Sequence, residues 1–269
     1  MLSRGRDRLV ATYILLNVDL NAPAPVILSF HGNNKSMDYQ AKLSRLTEPD
    51  INNDTIAVFP EGLAAGDPFP PEKCWEGAPY CNTGVSDKAF ITDLPAYMQN
   101  NFCIDIDRVY AFGKSIGGGF VDVLACSRRH DGDFAACAPA KALTPILELH
   151  GTEDTIAKYD GGISHGTNTP SIRKVLSTWA TRNGCGPSPV PAIDELQSNG
   201  VYYTQYDCRG RESLVVGYNV TGQGHTWTST MPNDENKGNT APIDATTIMM
   251  EFFRANPRPP VVVPTGVGQ

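Results

Sequence analysis

The chain has no apolar run long enough to cross a bilayer, which takes about 20 consecutive apolar residues. It has no basic cluster either. Its 22 Lys and Arg are outnumbered by 29 Asp and Glu, for a formal net charge of −7. Nucleic-acid binders neutralise phosphates with basic patches, so that class is excluded. No nucleic-acid or membrane partner is expected. None of the seven cysteines stands in a C-x-x-C pair, so no metal site is expected. The first residues, Met1 to Arg8, are charged and lack the apolar stretch of a signal peptide. No internal repeat and no linker divides the chain, which argues for one domain.

What is present fits a globular protein. A hydrophobic content of 41% supplies a sizeable core for a 269-residue chain. One domain is expected over residues 1–255. A Pro- and Val-rich tail over 256–269 reads as disordered. Seven cysteines point to an oxidising compartment. Sequons at Asn34, Asn53 and Asn219 agree with secretion and glycosylation, weakly, since such tripeptides recur by chance. The expectation is a secreted protein whose leader is missing from this chain.

Short β-prone runs alternate with helical patterns. Strands are expected at Leu9–Val18, Val26–Phe30, Thr55–Phe59, Val109–Phe112, Phe134–Cys137, Pro145–Leu149, Val201–Tyr206 and Leu214–Val220. Helices are expected from Ser36 to about Leu46, Ser86 to Asn101, after Gly117, Pro170 to Asn183 and Ala241 to Ala255. That alternation means an α/β fold, a mostly parallel sheet covered by helices on both faces. Residues 62–84 read as a long Gly- and Pro-rich loop. Cysteines and a tryptophan within it suggest an ordered wall of a site rather than a surface excursion.

Between the run Val109–Phe112 and a helical pattern stands Gly113-Lys114-Ser115-Ile116-Gly117, a G-x-S-x-G motif. Strand, sharp turn and helix are the context in which this motif presents a nucleophilic serine. A serine hydroxyl needs a base, and the base an orienting carboxylate. The base candidate is His225, in a glycine-rich loop after a strand. His31 and His150 also follow strands but compete less well, and His130 and His165 lie in polar loops. The carboxylate candidate is Asp154, just past Pro145–Leu149, with Glu153 and Asp160 as rivals. The chain order Ser115, Asp154, His225 is that of α/β-hydrolases. Two N–H donors for an oxyanion hole are expected from Ile116 and, on the loop after Phe30, Asn33. Trp75 and Trp227 are candidate substrate contacts, with core packing an equal alternative for Trp227. Pairing of the cysteines is not fixed by sequence. Position favours Cys185 with Cys208, lets Cys74 and Cys81 close the long loop, and allows Cys103 to meet Cys126. Cys137 is then left as a small core residue.

These segments together resemble the secreted fungal feruloyl esterases of the polyhydroxybutyrate-depolymerase-like branch of α/β-hydrolases. The resemblance rests on Leu28–Gly32, Trp75–Tyr80, Cys103–Asp105, Gly113–Phe120, Leu124–Cys126, His150–Asp154, Trp179–Cys185 and Gly224–Trp227. It implies Ser115 as nucleophile, Asp154 as acid and His225 as base. It implies a reaction without cofactor that releases ferulic or related hydroxycinnamic acids from plant cell-wall polysaccharide. A monomer is expected. Alternatives are an acetylxylan esterase, a polyester depolymerase, or an inactive carbohydrate-binding relative. The chain departs from the family in lacking an early cysteine and in a shortened connection from Pro139 to Pro145.

Overall fold

The computed structural model describes residues 2–3, 6–14, 18–19, 21–66, 70–81, 83–126, 137–139, 143–186, 194–196, 199–208, 210–211 and 214–257. The elements in its first half are β1 (Leu2–Ser3), β2 (Arg6–Asp7), β3 (Val10–Tyr13), β4 (Ala24–Phe30), α1 (Met37–Ser44), β5 (Ile56–Pro60), β6 (Leu63–Ala64), β7 (Lys73–Cys74), α2 (Asp87–Asn101) and β8 (Ile104–Gly113). Then come α3 (Ile116–Ala125), β9 (Ile146–Gly151), β10 (Gly162–Ser164), β11 (Thr167–Thr169), α4 (Ile172–Arg182), β12 (Asp194–Leu196), β13 (Val201–Gln205), β14 (Val215–Val220) and α5 (Ala245–Ala255).

Two half-sheets form the centre, in the orders β3-β5-β4-β8 and β12-β13-β14-β9. Strand β4 runs parallel to β5 and β8, and β14 runs parallel to β9. Strands β3, β12 and β13 add antiparallel edges. Among the described residues the half-sheets are not hydrogen-bonded to each other. The expected strand Phe134–Cys137 lies outside the described residues except for Cys137, as does the expected tail beyond 257.

The period of two along β4 and β5 builds the layers. Val26, Leu28, Phe30, Ile56 and Val58 face a cluster with Phe90 and Leu94 of α2 and Phe120 and Val123 of α3. Ile27, Ala57 and Phe59 face the other side. There they meet Met249, Met250, Phe252 and Phe253 of α5, together with Leu147 and Val216 from the second half-sheet. One apolar layer under α5 therefore spans both half-sheets. Helix α4 covers the opposite face of the second through Leu176 and Trp179 against Leu214 and Val215.

Helix starts follow their caps. Ser36, Ser86, Ser171 and Asp244 each accept a backbone N–H of the first turn. This shortens two expected helices. Pro170 precedes the cap of α4 rather than sitting in its first turn, and α5 begins after Asp244 rather than at Ala241. Strand β3 is likewise shorter than Leu9–Val18. The stretch 62–84 is not all loop, because β6 and β7 pair within it. Arg8, buried against the Phe90 ring at 4.1 Å, donates to Asp87 Oδ1 at 2.6 Å. Asp87 Oδ2 in turn accepts from the Glu76 N–H at 2.8 Å, which fixes the end of that stretch.

Candidate active site

All the candidate groups follow carboxyl ends of parallel strands, where open α/β sheets place their reactive residues. Ser115 follows β8 and is the residue before α3, with φ 57° and ψ −123°. That strained turn lifts its side chain clear of the sheet. The glycines around it answer to close approach. A Cβ on Gly113 would stand 2.3 Å from the Gly117 carbonyl carbon, and one on Gly117 would stand 2.4 Å from Phe30 O. The elbow is thus pressed onto the end of β4, and Lys114 N–H donates to Phe30 O at 3.1 Å.

The structure brings Ser115, His225 and Asp154 together. Ser115 Oγ lies 2.9 Å from His225 Nε2, and His225 Nδ1 lies 2.6 Å from Asp154 Oδ2. With the imidazole neutral, its Nδ1–H donates to the carboxylate and Nε2 accepts the serine proton. Asp154 Oδ1 accepts the N–H groups of Ile156 and Ala157, both at 2.8 Å. Of its rivals, Glu153 is exposed, and Asp160 pairs with Arg173 at 3.2 Å. The acid and base loops are stitched to each other. Glu153 N–H donates to Gln223 O at 2.9 Å, and Gly222 N–H to Thr152 Oγ1 at 3.0 Å. Gly151 permits this, since a Cβ there would lie 2.1 Å from Gln223 O.

Sequence reasoning passed over two partners of this array. The first is His150, whose Nε2 lies 2.6 Å from Ala157 O and 3.3 Å from Asp154 Oδ2. Its Nδ1 lies 3.0 Å from Glu148 Oε1. Both ring nitrogens face acceptors, so both carry protons and the ring is an imidazolium. Burial opposes that charge, but the bonds to Asp154 and Glu148 override it and push the His150 pKa up to about 10. For Asp154, burial is likewise outweighed by its bonds to His150 and His225, which hold it far below the usual carboxylate range. The signal was the spacing of four between His150 and Asp154 in one short segment. The second is Lys114, whose Nζ reaches His225 O at 3.5 Å and Glu235 Oε2 at 3.8 Å. Glu235 also accepts the Trp227 N–H at 2.6 Å. Burial depresses the Lys114 ammonium, against the pull of Glu235, Asp154 and Glu148.

The loop after β4 borders the nucleophile. A Cβ on Gly32 would lie 3.6 Å from Ser115 Cβ. The Asn33 N–H has no hydrogen-bond partner among the described residues, and neither has the Ile116 N–H in the first turn of α3. The loop is braced from beneath. His31 is fully buried, with Nδ1–H donating to Gly32 O at 2.8 Å and Nε2 accepting the Gly62 N–H at 2.9 Å. Burial lowers its pKa, which keeps this neutral tautomer. Asn33 Nδ2 donates to Glu72 Oε2 at 2.7 Å, and Asn34 N–H to Lys73 O at 2.8 Å.

Several expectations need correction. Trp75 is not a substrate contact: it is fully buried, stacked on Phe120 at 5.2 Å and edge-on to Phe30. Its Nε1–H donates to His31 O at 2.9 Å, so it is a pillar under the loop. Trp227 takes the packing alternative, buried beside Phe112 with Leu43 and Ala245. Disulfides join Cys74 to Cys81 and Cys185 to Cys208, as position favoured. Cys126, however, pairs with Cys137 and not with Cys103, which is free and exposed. The short bridge between Cys126 and Pro139 brings Cys137 back beside the end of α3. Cys103 faces solvent just before β8, at the opposite end of α3's neighbouring strand. Among the sequons, Asn219 is buried and donates to Tyr159 Oη at 3.0 Å, so it offers no glycan site in the folded chain.

A cavity of about 180 Å³ lies beside this loop, lined by Asn33, Ala65, Pro70, Glu72, Tyr80 and His165 among others. The rings of Tyr80 and His165 pack against each other in its lining, 4.7 Å between centroids.

Helix-flanked half-sheets, an elbow serine and a histidine–carboxylate pair make up an α/β-hydrolase fold. An acetyl xylan esterase from Aspergillus awamori shares the fold with a TM-score of 0.56 at 17% identity, covering 92% of this chain and 94% of that one. No family model matches the chain. Fungal proteins are among its relatives in sequence. Feruloyl esterase B of Piromyces equi is 28% identical over 224 residues, which are 75% of this chain and 39% of that protein. A probable feruloyl esterase C of Aspergillus niger is 25% identical, over 74% of this chain and 70% of that protein. The chain is similar to these fungal feruloyl esterases, and it spans well under half the length of the Piromyces relative.

Proposed function

We propose that this protein is a serine carboxylesterase that releases hydroxycinnamic acids, ferulic acid foremost, from esterified plant cell-wall polysaccharide. One observation carries the chemistry: the unbroken chain of contacts from Ser115 through His225 to Asp154, beside two N–H groups without partners among the described residues. His225 Nε2 takes the Ser115 proton as Oγ bonds to the ester carbonyl carbon. The oxyanion is held by the Ile116 and Asn33 amides, each worth about 3 kcal/mol in the transition state. The tetrahedral species collapses, its alkoxy C–O bond breaks, and the alcohol leaves with the proton from His225. Water then enters with His225 as base, the acyl–Oγ bond breaks, and the free acid departs. Asp154 keeps the imidazole in the required tautomer and favours its charged form during each transfer.

The likeness to fungal feruloyl esterases supports the acyl group, and three disulfides suit an oxidising, extracellular setting. The test is hydrolysis of methyl ferulate beside p-nitrophenyl acetate, with Ser115→Ala as control and a fluorophosphonate as active-site label. Hydrolysis of the ferulate ester and labelling lost in the variant are expected. An unlabelled wild-type chain would sink the esterase reading. Cleavage of the acetate ester alone would shift the substrate to acetylated polysaccharide.

A further inference from the structure

The geometry points to the cavity beside Asn33 as the seat of the aromatic end of the acyl group, with Glu72 as the acceptor that reads a phenolic hydroxyl. This assignment rests on the feruloyl reading above and deepens it. The residue proposed to hold the oxyanion lines the cavity, and Gly32 next to it lies by the nucleophile, where an added Cβ would stand 3.6 Å from Ser115 Cβ. An acyl group whose carbonyl oxygen sits at the Asn33 amide has its propenoyl link directed past that residue. At about 180 Å³ the space is smaller than a drug-sized pocket, which starts at roughly 300 Å³. It suits one substituted ring.

Its chemistry is that of a phenol site. Ala65, Pro70 and the Cys74–Cys81 disulfide supply apolar wall. Tyr80 and His165 supply two rings, one from the long 62–84 stretch and one from the tip of the β10–β11 hairpin. Glu72 is the one carboxylate in the lining among the described residues. Its Oε2 is engaged by Asn33, and its Oε1 has no partner among the described residues. It lies close enough to Tyr80 to help burial raise that phenol's pKa. A carboxylate cannot donate when ionised, so it selects a ligand with a hydroxyl to give. The same charge disfavours the carboxylate product, which speeds its departure. A sugar hydroxyl would satisfy Glu72 too, but the apolar wall and the Tyr80–His165 ring pair, packed together as one aromatic side, fit a planar group better.

The experiment compares kcat/KM for methyl ferulate, methyl cinnamate and p-nitrophenyl acetate. The proteins are the wild type, Glu72→Gln, Tyr80→Ala and His165→Asn, the last chosen because residue 165 has φ 48° and asparagine tolerates that backbone. In Glu72→Gln the side-chain amide oxygen remains an acceptor for Asn33 while the charge is lost. This variant should lower the ferulate-to-cinnamate ratio about ten-fold, the loss of one charge-assisted hydrogen bond. Tyr80→Ala and His165→Asn should lower both aryl esters relative to acetate. Thermal melts accompany each variant, and ratios within one protein are indifferent to the fraction folded. If wild type cleaves ferulate but no ratio moves in any variant, the pocket assignment is overturned and the feruloyl reading stands. If wild type cleaves only the acetate ester, both fall.

Discussion

The histidine behind the acid gives the sharpest test of the electrostatics. His150 sits 11% exposed between Glu148 and Asp154, and all its polar contacts are to acceptors. His150→Gln keeps one donor but deletes the charge, leaving two carboxylates in one enclosure with the neutral His225. Losing the cation from such a partly buried array costs about 3 kcal/mol. For a domain of this size that lowers the melting temperature by roughly 6–12 °C. The pH dependence is distinctive. The His150 pKa is raised in the folded chain, so its stabilisation is complete below its ordinary value of 6.5 and fades as pH climbs through about 10. The gap in melting temperature between wild type and His150→Gln, followed by scanning fluorimetry, should therefore be widest below about pH 6.5, shrink steadily above it and close above pH 10. Asp154 works in the opposite sense, its depressed pKa giving stability that is lost only in acid. Groups away from this cluster titrate alike in both proteins and cancel from the difference, and Asp154, which loses one of the bonds that depress it, differs only in acid. A gap that stays constant from neutral pH to pH 11, or no gap at all, would refute the imidazolium assignment.

Other outcomes follow from particular contacts. Asp154→Asn should cut kcat about 10⁴-fold, as the wrong imidazole tautomer is then favoured, with little change in the methyl ferulate KM. Gly117→Ala forces a Cβ to within 2.4 Å of Phe30 O, so esterase activity should vanish while circular dichroism still reports a folded chain at low temperature. Trp75→Phe removes the donor to His31 O but keeps a ring against Phe120, so kcat should fall more than the melting temperature suggests. A maleimide added to the native, unreduced protein should modify a single thiol, and Cys103→Ser should abolish it. Labelling at Cys137 instead would contradict the Cys126–Cys137 bridge.

Legibility in the sequence tracked how local the governing physics is. The strands flanking Ser115 were readable because β-branched and aromatic runs end in glycines that a tight turn requires. Helix starts were readable where a serine cap stood alone, as at Ser36 and Ser86. They slipped at Pro170 and Ala241, where the caps Ser171 and Asp244 lie further along and tertiary packing chose between them. Ser115, Asp154 and His225, which the fold brings within hydrogen-bond reach, were singled out by motif and order. Trp75 was misjudged because a tryptophan in a long loop looks exposed until the buried face of that loop is seen. Cysteine pairing failed for the same reason. Cys126 and Cys137 are close only because the chain doubles back after α3, which no local pattern announces.

Three glycines explain why the site can be read at all from so divergent a chain. Gly113, Gly117 and Gly151 each stand where an added Cβ would meet backbone within 2.1–2.4 Å. At those points the elbow is pressed onto the end of β4, and the acid loop onto the base loop. Such contacts tolerate no side chain, so the relative placement of Ser115, Asp154 and His225 is set by backbone against backbone. The ring-lined cavity is built differently, from side chains of a stretch held by one disulfide and of a hairpin tip. Substitution there changes shape and charge without moving the serine. Reaction type and acyl preference are consequently separable in this molecule. Changes at Glu72, Tyr80 or His165 should redirect which ester is cut, while changes at the three glycines should stop cutting altogether.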